Sequence, residues 1–132
     1  MRNQQGFTLV EIFLSIIILS VGLLLIAELQ ITGAKGNKNS KDMSSAVLLA
    51  ESKIEELKES GFSSLIDGNY PVGTNLPIDS SGAPGGIFTR TWKISPYKGS
   101  NSMKYIEVNV QWAEKEKSHT ICLNTVFSEH LD

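Results

Sequence analysis

The stretch GFTLVEIFLSIIILSVGLLLIAELQ, Gly6 to Gln30, is apolar almost without interruption from Phe7 to Ala27, yet one carboxylate, Glu11, stands four residues into the run. As a helix, Phe7–Ala27 would be about 31 Å long at ~1.5 Å per residue, which matches a hydrocarbon core of about 30 Å. A cleaved secretory signal is the main alternative, but its apolar stretch is only about 7–15 residues and leads to a small-residue cleavage site. Here Glu28-Leu29-Gln30-Ile31-Thr32 follows, with no clear site of that kind. The rest of the chain is too short to surround such a helix as a buried core. The segment reads as membrane-embedded.

Glu11 then needs an account. An acid at the centre of a spanning helix costs about 2.5–3.5 kcal/mol on insertion scales, and less toward an end. Glu11 lies about one turn from Phe7, so the penalty is reduced but not removed. The segment holds no lysine or arginine. The nearest available cation is an α-amino group, created if the chain is cut before Phe7. An adjacent helix displaced along its axis could bring such a terminus beside Glu11.

The preceding residues suit that cut. Met1-Arg2-Asn3-Gln4-Gln5-Gly6 is a short hydrophilic leader ending in glycine, whose missing Cβ lets a protease approach its carbonyl. Gly6-Phe7-Thr8-Leu9-Val10-Glu11 resembles the processing motif of type IV prepilins and type II secretion pseudopilins. The motif is six consecutive residues placed directly before a spanning segment, which makes it specific. The resemblance implies that a prepilin peptidase cuts after Gly6 and that Phe7 becomes the N-methylated terminus. It also implies that Glu11 pairs with the amino terminus of a neighbouring subunit during assembly. Three further patterns are similar to the PilV-type minor pilins, the type IV pilus modification proteins. They are Ile18-Leu19-Ser20-Val21-Gly22-Leu23-Leu24 with Glu28-Leu29-Gln30, then Ala46 to Leu57, then Phe88-x-Arg90-x-Trp92 with Val108-x-Val110-x-Trp112.

Beyond the run, Met43, Val47, Ala50, Ile54 and Leu57 recur at helical spacing and mark one stripe of a helix. Ser60-Gly61 supplies a stop, with Gly61 suited to a left-handed position. Gly33 to Ser40 is polar and contains two glycines, each costing ~1 kcal/mol relative to alanine. It is the place where a continuous helix would bend or fray. Phe62 to Gly86 is a long Gly- and Pro-rich connection of a kind that is uncommon in compact domains. Its Asp67-Gly68-Asn69 and Asp79-Ser80-Ser81-Gly82 read as turn chemistry rather than calcium ligation, because neither fits an EF-hand spacing.

Three strand signals follow. Ile87–Ile94 turns Phe88, Trp92 and Ile94 to one face, and Lys104–Trp112 turns Ile106, Val108, Val110 and Trp112 inward. After a charged turn at Ala113–Lys117, Ser118–Phe127 turns Ile121, Leu123 and Phe127 inward. Trp92 and Trp112 read as core residues.

Composition excludes other classes. With 132 residues, 12 basic and 14 acidic, the chain has no electrostatic footprint for nucleic acid. The single cysteine, Cys122, rules out an internal disulfide and reads as a small buried thiol. His119 and His130 have no serine or cysteine partner in a motif context and are too far apart for a metal signature. No catalytic residue, metal site or cofactor is expected.

The expected architecture is α+β and pilin-like. A long N-terminal helix packs by its second half on a C-terminal antiparallel β-meander of about three strands. The expected organisation is a leader over 1–6, a transmembrane and assembly helix over 7–30 and its amphipathic continuation over 31–61. A loop over 62–86 and a sheet region over 87–132 complete it. The resemblance implies prepilin peptidase, other minor pilins, the major pilin, an inner-membrane assembly platform and the lipid bilayer as partners. It implies a bacterial inner-membrane protein with cytoplasmic N-terminus and periplasmic C-terminal domain, later part of a surface fibre. Positive-inside counting opposes that topology, since Arg2 precedes the run while Lys35, Lys38 and Lys41 follow it. Two other readings stay open: a minor pseudopilin at the tip of a type II secretion fibre, and a membrane-anchored module binding a ligand through the Phe62–Gly86 loop.

Overall fold

The computed structural model describes residues 6–129. The chain forms two compact units, Met1–Ser40 and Lys41–Asp132. One α-helix, α1 (Leu9–Glu59), is followed by a short 3-10 turn, Phe62–Ser64. Four strands come next: β1 (Gly68–Tyr70), β2 (Phe88–Tyr97), β3 (Ser100–Glu114) and β4 (Lys117–Ser128). All pair antiparallel in the order β1-β2-β3-β4. The fold is a long apolar N-terminal helix with an antiparallel sheet, α+β and pilin-like.

Residues 33–40 are helical throughout, so the two glycines do not fray α1. The helix ends where the sequence signals a stop: Gly61 takes a φ of 84°, and its N–H donates to the Lys58 carbonyl at 3.2 Å. With ψ at 154°, this is not the left-handed helical cap but an extended positive-φ conformation that suits only a residue without Cβ.

In the Lys41–Asp132 unit, the helix covers the sheet with Ala46, Leu49, Ala50 and Lys53, joined at the margin by Ile54 and Leu57. This stripe is rotated from the expected one: Met43 is 55% exposed and Val47 only half-buried. Alanines at 46 and 50 permit the close approach of the sheet, and Lys53 occupies a place that hydropathy assigns to an apolar residue. Its stem is buried, its ammonium lies 4.1 Å from the centre of the Trp92 ring, and it donates to Glu56 Oε1 at 2.7 Å. A long cationic side chain can bury its methylenes in this way while its charge stays satisfied.

The sheet side of the core is read correctly from alternation. Ile106, Val108 and Val110 are fully buried and Trp112 nearly so. Each such side chain contributes on the order of 1.5–3 kcal/mol relative to exposure. Trp92 is half-buried and stacks on Tyr70. Trp112 packs against Phe88 and His119. His130 and Arg2 lie outside the described residues.

Two details differ from expectation, a fourth strand and the exposure of Cys122, and the strands β2 and β3 run longer than their sequence signals. The sheet has a fourth strand, β1, inside the segment expected to be loop. Its three residues pair with Trp92–Ile94 of β2. The β2–β3 connection is a two-residue turn, Lys98-Gly99, with φ of 49° and 76°. Positive φ at both central positions matches the twist of a hairpin. Cys122 is exposed, not buried. It alternates with Ile121 and Leu123, which occupy the core face of β4, so its thiol falls on the opposite face. Partial burial, with Glu107 as a second cause, raises the Cys122 pKa above its ordinary value.

The rest of the 62–86 segment covers the free edge of β2. Ile78 and Phe88 exchange backbone hydrogen bonds of 2.7 and 3.0 Å. Asn75 Nδ2 donates to the Arg90 carbonyl at 3.2 Å. The Asp79 carboxylate accepts from the Ser81 hydroxyl at 2.6 Å, the Ser81 N–H at 2.8 Å and the Ala83 N–H at 3.0 Å. These bonds, led by the Ser81 hydroxyl, hold the Asp79 pKa below its ordinary value of 3.8. Asp67 is engaged by Lys104 at 2.7 Å. Asp79 thus serves the loop's own structure, and Asp67 ties the segment to β3.

Candidate processing and assembly site

Gly6, Phe7 and Thr8 precede α1 and are exposed, Phe7 at 79%. Thr8 caps the helix. Its carbonyl accepts from the N–H groups of Glu11 at 3.1 Å and Ile12 at 3.2 Å, and its Oγ1 accepts from the Glu11 N–H at 3.3 Å. Glu11 is therefore the third helical residue, in the first turn. Unpaired backbone N–H groups and the helix dipole both favour negative charge in that turn. The structure adds this support for the carboxylate, which the sequence analysis did not use. The signal was present as Thr8-x-x-Glu11, the spacing of a capping box. Thr8 is the functional position that sequence reasoning missed.

Downstream of Glu11, every residue to Lys41 is exposed except Gly22, which is half-exposed. Phe13, Leu14, Ile17, Leu24 and Leu25 are among the large apolar side chains left uncovered. The helix contains a span long and apolar enough to cross a membrane, none of it buried within the chain. A soluble core helix would be mostly covered, so that alternative does not describe this segment.

The hydroxyls of the run are internally satisfied. Ser15 Oγ donates to the Glu11 carbonyl at 2.8 Å and Ser20 Oγ to the Ile16 carbonyl at 2.7 Å. Such back-bonding lets polar side chains sit in lipid without stranded donors. At about 100° per residue, Glu11, Ser15 and Gly22 fall within roughly 40° of one another on one helix face. Ile18 lies about 20° to the other side of Glu11, so the acid shares its face with two small residues and one large apolar one.

Gly6, Phe7 and Glu11 are neighbours through the chain and not through tertiary folding. Removal of residues up to Gly6 would leave the Thr8 cap intact. It would also place a new ammonium at Phe7, next to the positive end of its own helix, where a cation is disfavoured.

Residues 1–27 match the family model of the Prokaryotic N-terminal methylation motif. The match supports a type IV pilin- or pseudopilin-like protein, processed by prepilin peptidase and assembling with other pilins. Bearers of this motif are structural subunits, not enzymes. Comparison with curated proteins and with solved structures gave no match. Among the described residues, no group of three His, Cys, Asp or Glu side chains gathers as metal ligands would.

Proposed function

We propose that this chain is a minor pilin that initiates or caps a type IV pilus after its leader has been removed. The observation that carries the reading is the match over residues 1–27, which includes the six-residue motif at the start of an uncovered apolar helix. In this account Gly6 is the cleavage position, Phe7 the N-methylated terminus and Glu11 the assembly residue. The C-terminal domain stands on the periplasmic side of the inner membrane until the subunit enters the fibre. Glu11 is stabilised partly by its own helix N-terminus and partly by the ammonium of a neighbouring subunit. That ammonium is poorly placed against its own helix dipole and gains from meeting the acid. The resemblance of Leu19–Gln30 and of the Trp92 and Trp112 patterns to PilV-type sequences supports a pilus over a secretion fibre.

The test is the mass of the chain isolated from its native membrane. The account predicts loss of residues 1–6 and the gain of one methyl group on Phe7. An intact leader would overturn it. Genes for pilus components beside this one would support the pilus assignment, and genes for secretion-system components would transfer the same processing account to a pseudopilin.

A further inference from the structure

β4 is the last strand of the sheet, and among the described residues only β3 pairs with it. Its register is unbroken from Glu114 opposite Lys117 to Met103 opposite Ser128. Beyond it, the Glu129 N–H donates to the Ser102 carbonyl at 2.9 Å. Residues of an antiparallel strand alternate between bonding one neighbour and the other. The odd-numbered residues of β4 therefore bond to β3. Ser118, Thr120, Cys122, Asn124, Val126 and Ser128 send their N–H and C=O groups outward.

Between Lys117 and Glu129 the strand has no charge, proline or glycine, so it lacks the features that usually blunt an edge. The opposite edge is different. There Ile78 bonds Phe88, Asn75 bonds Arg90 and β1 pairs with Trp92–Ile94.

We propose that β4 is a docking edge for an extended strand of a different membrane-anchored subunit, added antiparallel to it. The proposal rests on the pilin-like reading only in placing the partner in the same membrane. A second copy is a poor occupant on two counts. Antiparallel pairing of β4 with β4 has its two-fold axis normal to the sheet, which turns the second copy's covering helix end for end. The chains leading to the two membrane segments would then start in opposite directions. Pairing β4 with the other edge of a second copy is obstructed by β1, Asn75 and Ile78, and Pro71 has no N–H to offer.

The end charges describe the partner. An antiparallel strand carrying a base opposite Glu129 and an acid opposite Lys117 forms two favourable cross-strand pairs. Apolar residues on its core side would extend the face made by Ile121, Leu123 and Phe127. The backbone supplies affinity and the alternate side chains supply selectivity, as in other strand-addition complexes.

The test places the photoreactive residue p-benzoylphenylalanine at Asn124 in the full chain, in the cells that produce it. Illumination should give adducts with one strand segment of a different subunit that has its own apolar N-terminal helix. Thr120→Pro removes an outward N–H and no bond to β3, and should cut the adduct by about tenfold with unchanged protease resistance of the sheet. Adducts to a second copy, no protein adduct, or an adduct undiminished by Thr120→Pro would each overturn the proposal. The leader is assayed by mass in the same cells, so failure of the processing account is read separately.

Discussion

The Thr8 hydroxyl oxygen accepts the backbone N–H of Glu11 at 3.3 Å, so the residue that starts the helix also fixes the backbone of its one acid in the first turn. Replacing an N-cap threonine with alanine costs about 1 kcal/mol. Thr8→Ala should therefore raise amide exchange at Val10, Glu11 and Ile12 in detergent micelles. Thr8→Ser should leave exchange close to that of the parent. Equal exchange in all three chains would show that the cap is not formed.

Arg90 reaches from β2 to the helix, donating from Nη1 to the Leu49 carbonyl at 3.0 Å. Burial lowers its pKa, although Glu56 opposes the shift. Arg90→Ala removes a charge-assisted bond of about 1.5–3 kcal/mol. It should lower the denaturant midpoint of the C-terminal domain. Arg90→Lys should recover only part, since a lysine lacks the planar fork.

Lys53 should tolerate a neutral residue of similar shape. In Lys53→Met the methylenes still pack on Trp92, and the exposed Glu56 partner returns to water. The expected change in stability is within about 1 kcal/mol. Lys53→Glu would bring an acid to the ring face beside Glu56 and should be clearly destabilising. Thermal melts of both variants check this.

The Asp79 turn should loosen in acid. Its folded-state pKa is depressed, so its contribution is fully present above the unfolded value and lost as pH falls through the folded one. Proteolytic nicking or amide exchange at Ser81 and Ala83 should therefore increase below about pH 4. Asp79→Asn should show raised exchange at neutral pH and little further dependence.

Much of this could be read in the chain because single elements set it. The apolar run from Phe7 to Ala27 needs no tertiary partner to be recognised, and the alternation of Ile106, Val108, Val110 and Trp112 assigns the core face of β3. What escaped depends on partners. β1 is three residues long and exists through its pairing with Trp92–Ile94. The helical stripe held at Ala50, Ile54 and Leu57 but missed at its start, because Met43 outranks Ala46 in hydropathy, whereas close packing on a sheet favours the alanine. Lys53 was not singled out because its acceptor Glu56 is local but its aromatic platform, Trp92, comes from β2. Cys122 was legible after all: with Ile121 and Leu123 both inward, the residue between them must face out. In the site itself, Gly6, Phe7 and Glu11 were given roles, while Thr8 was quoted in the motif without its capping role.

The most direct test of the central claim uses a hydrophobic carbodiimide, which joins a carboxylate to an amine only where the two are in contact. Assembled fibres containing this subunit would be treated, digested and analysed by mass spectrometry. The account predicts a peptide in which the Glu11 side chain is amide-linked to the N-terminal amine of a neighbouring subunit. Recovery of Glu11 only as a simple carbodiimide adduct, with no such link in the fibre, would contradict it.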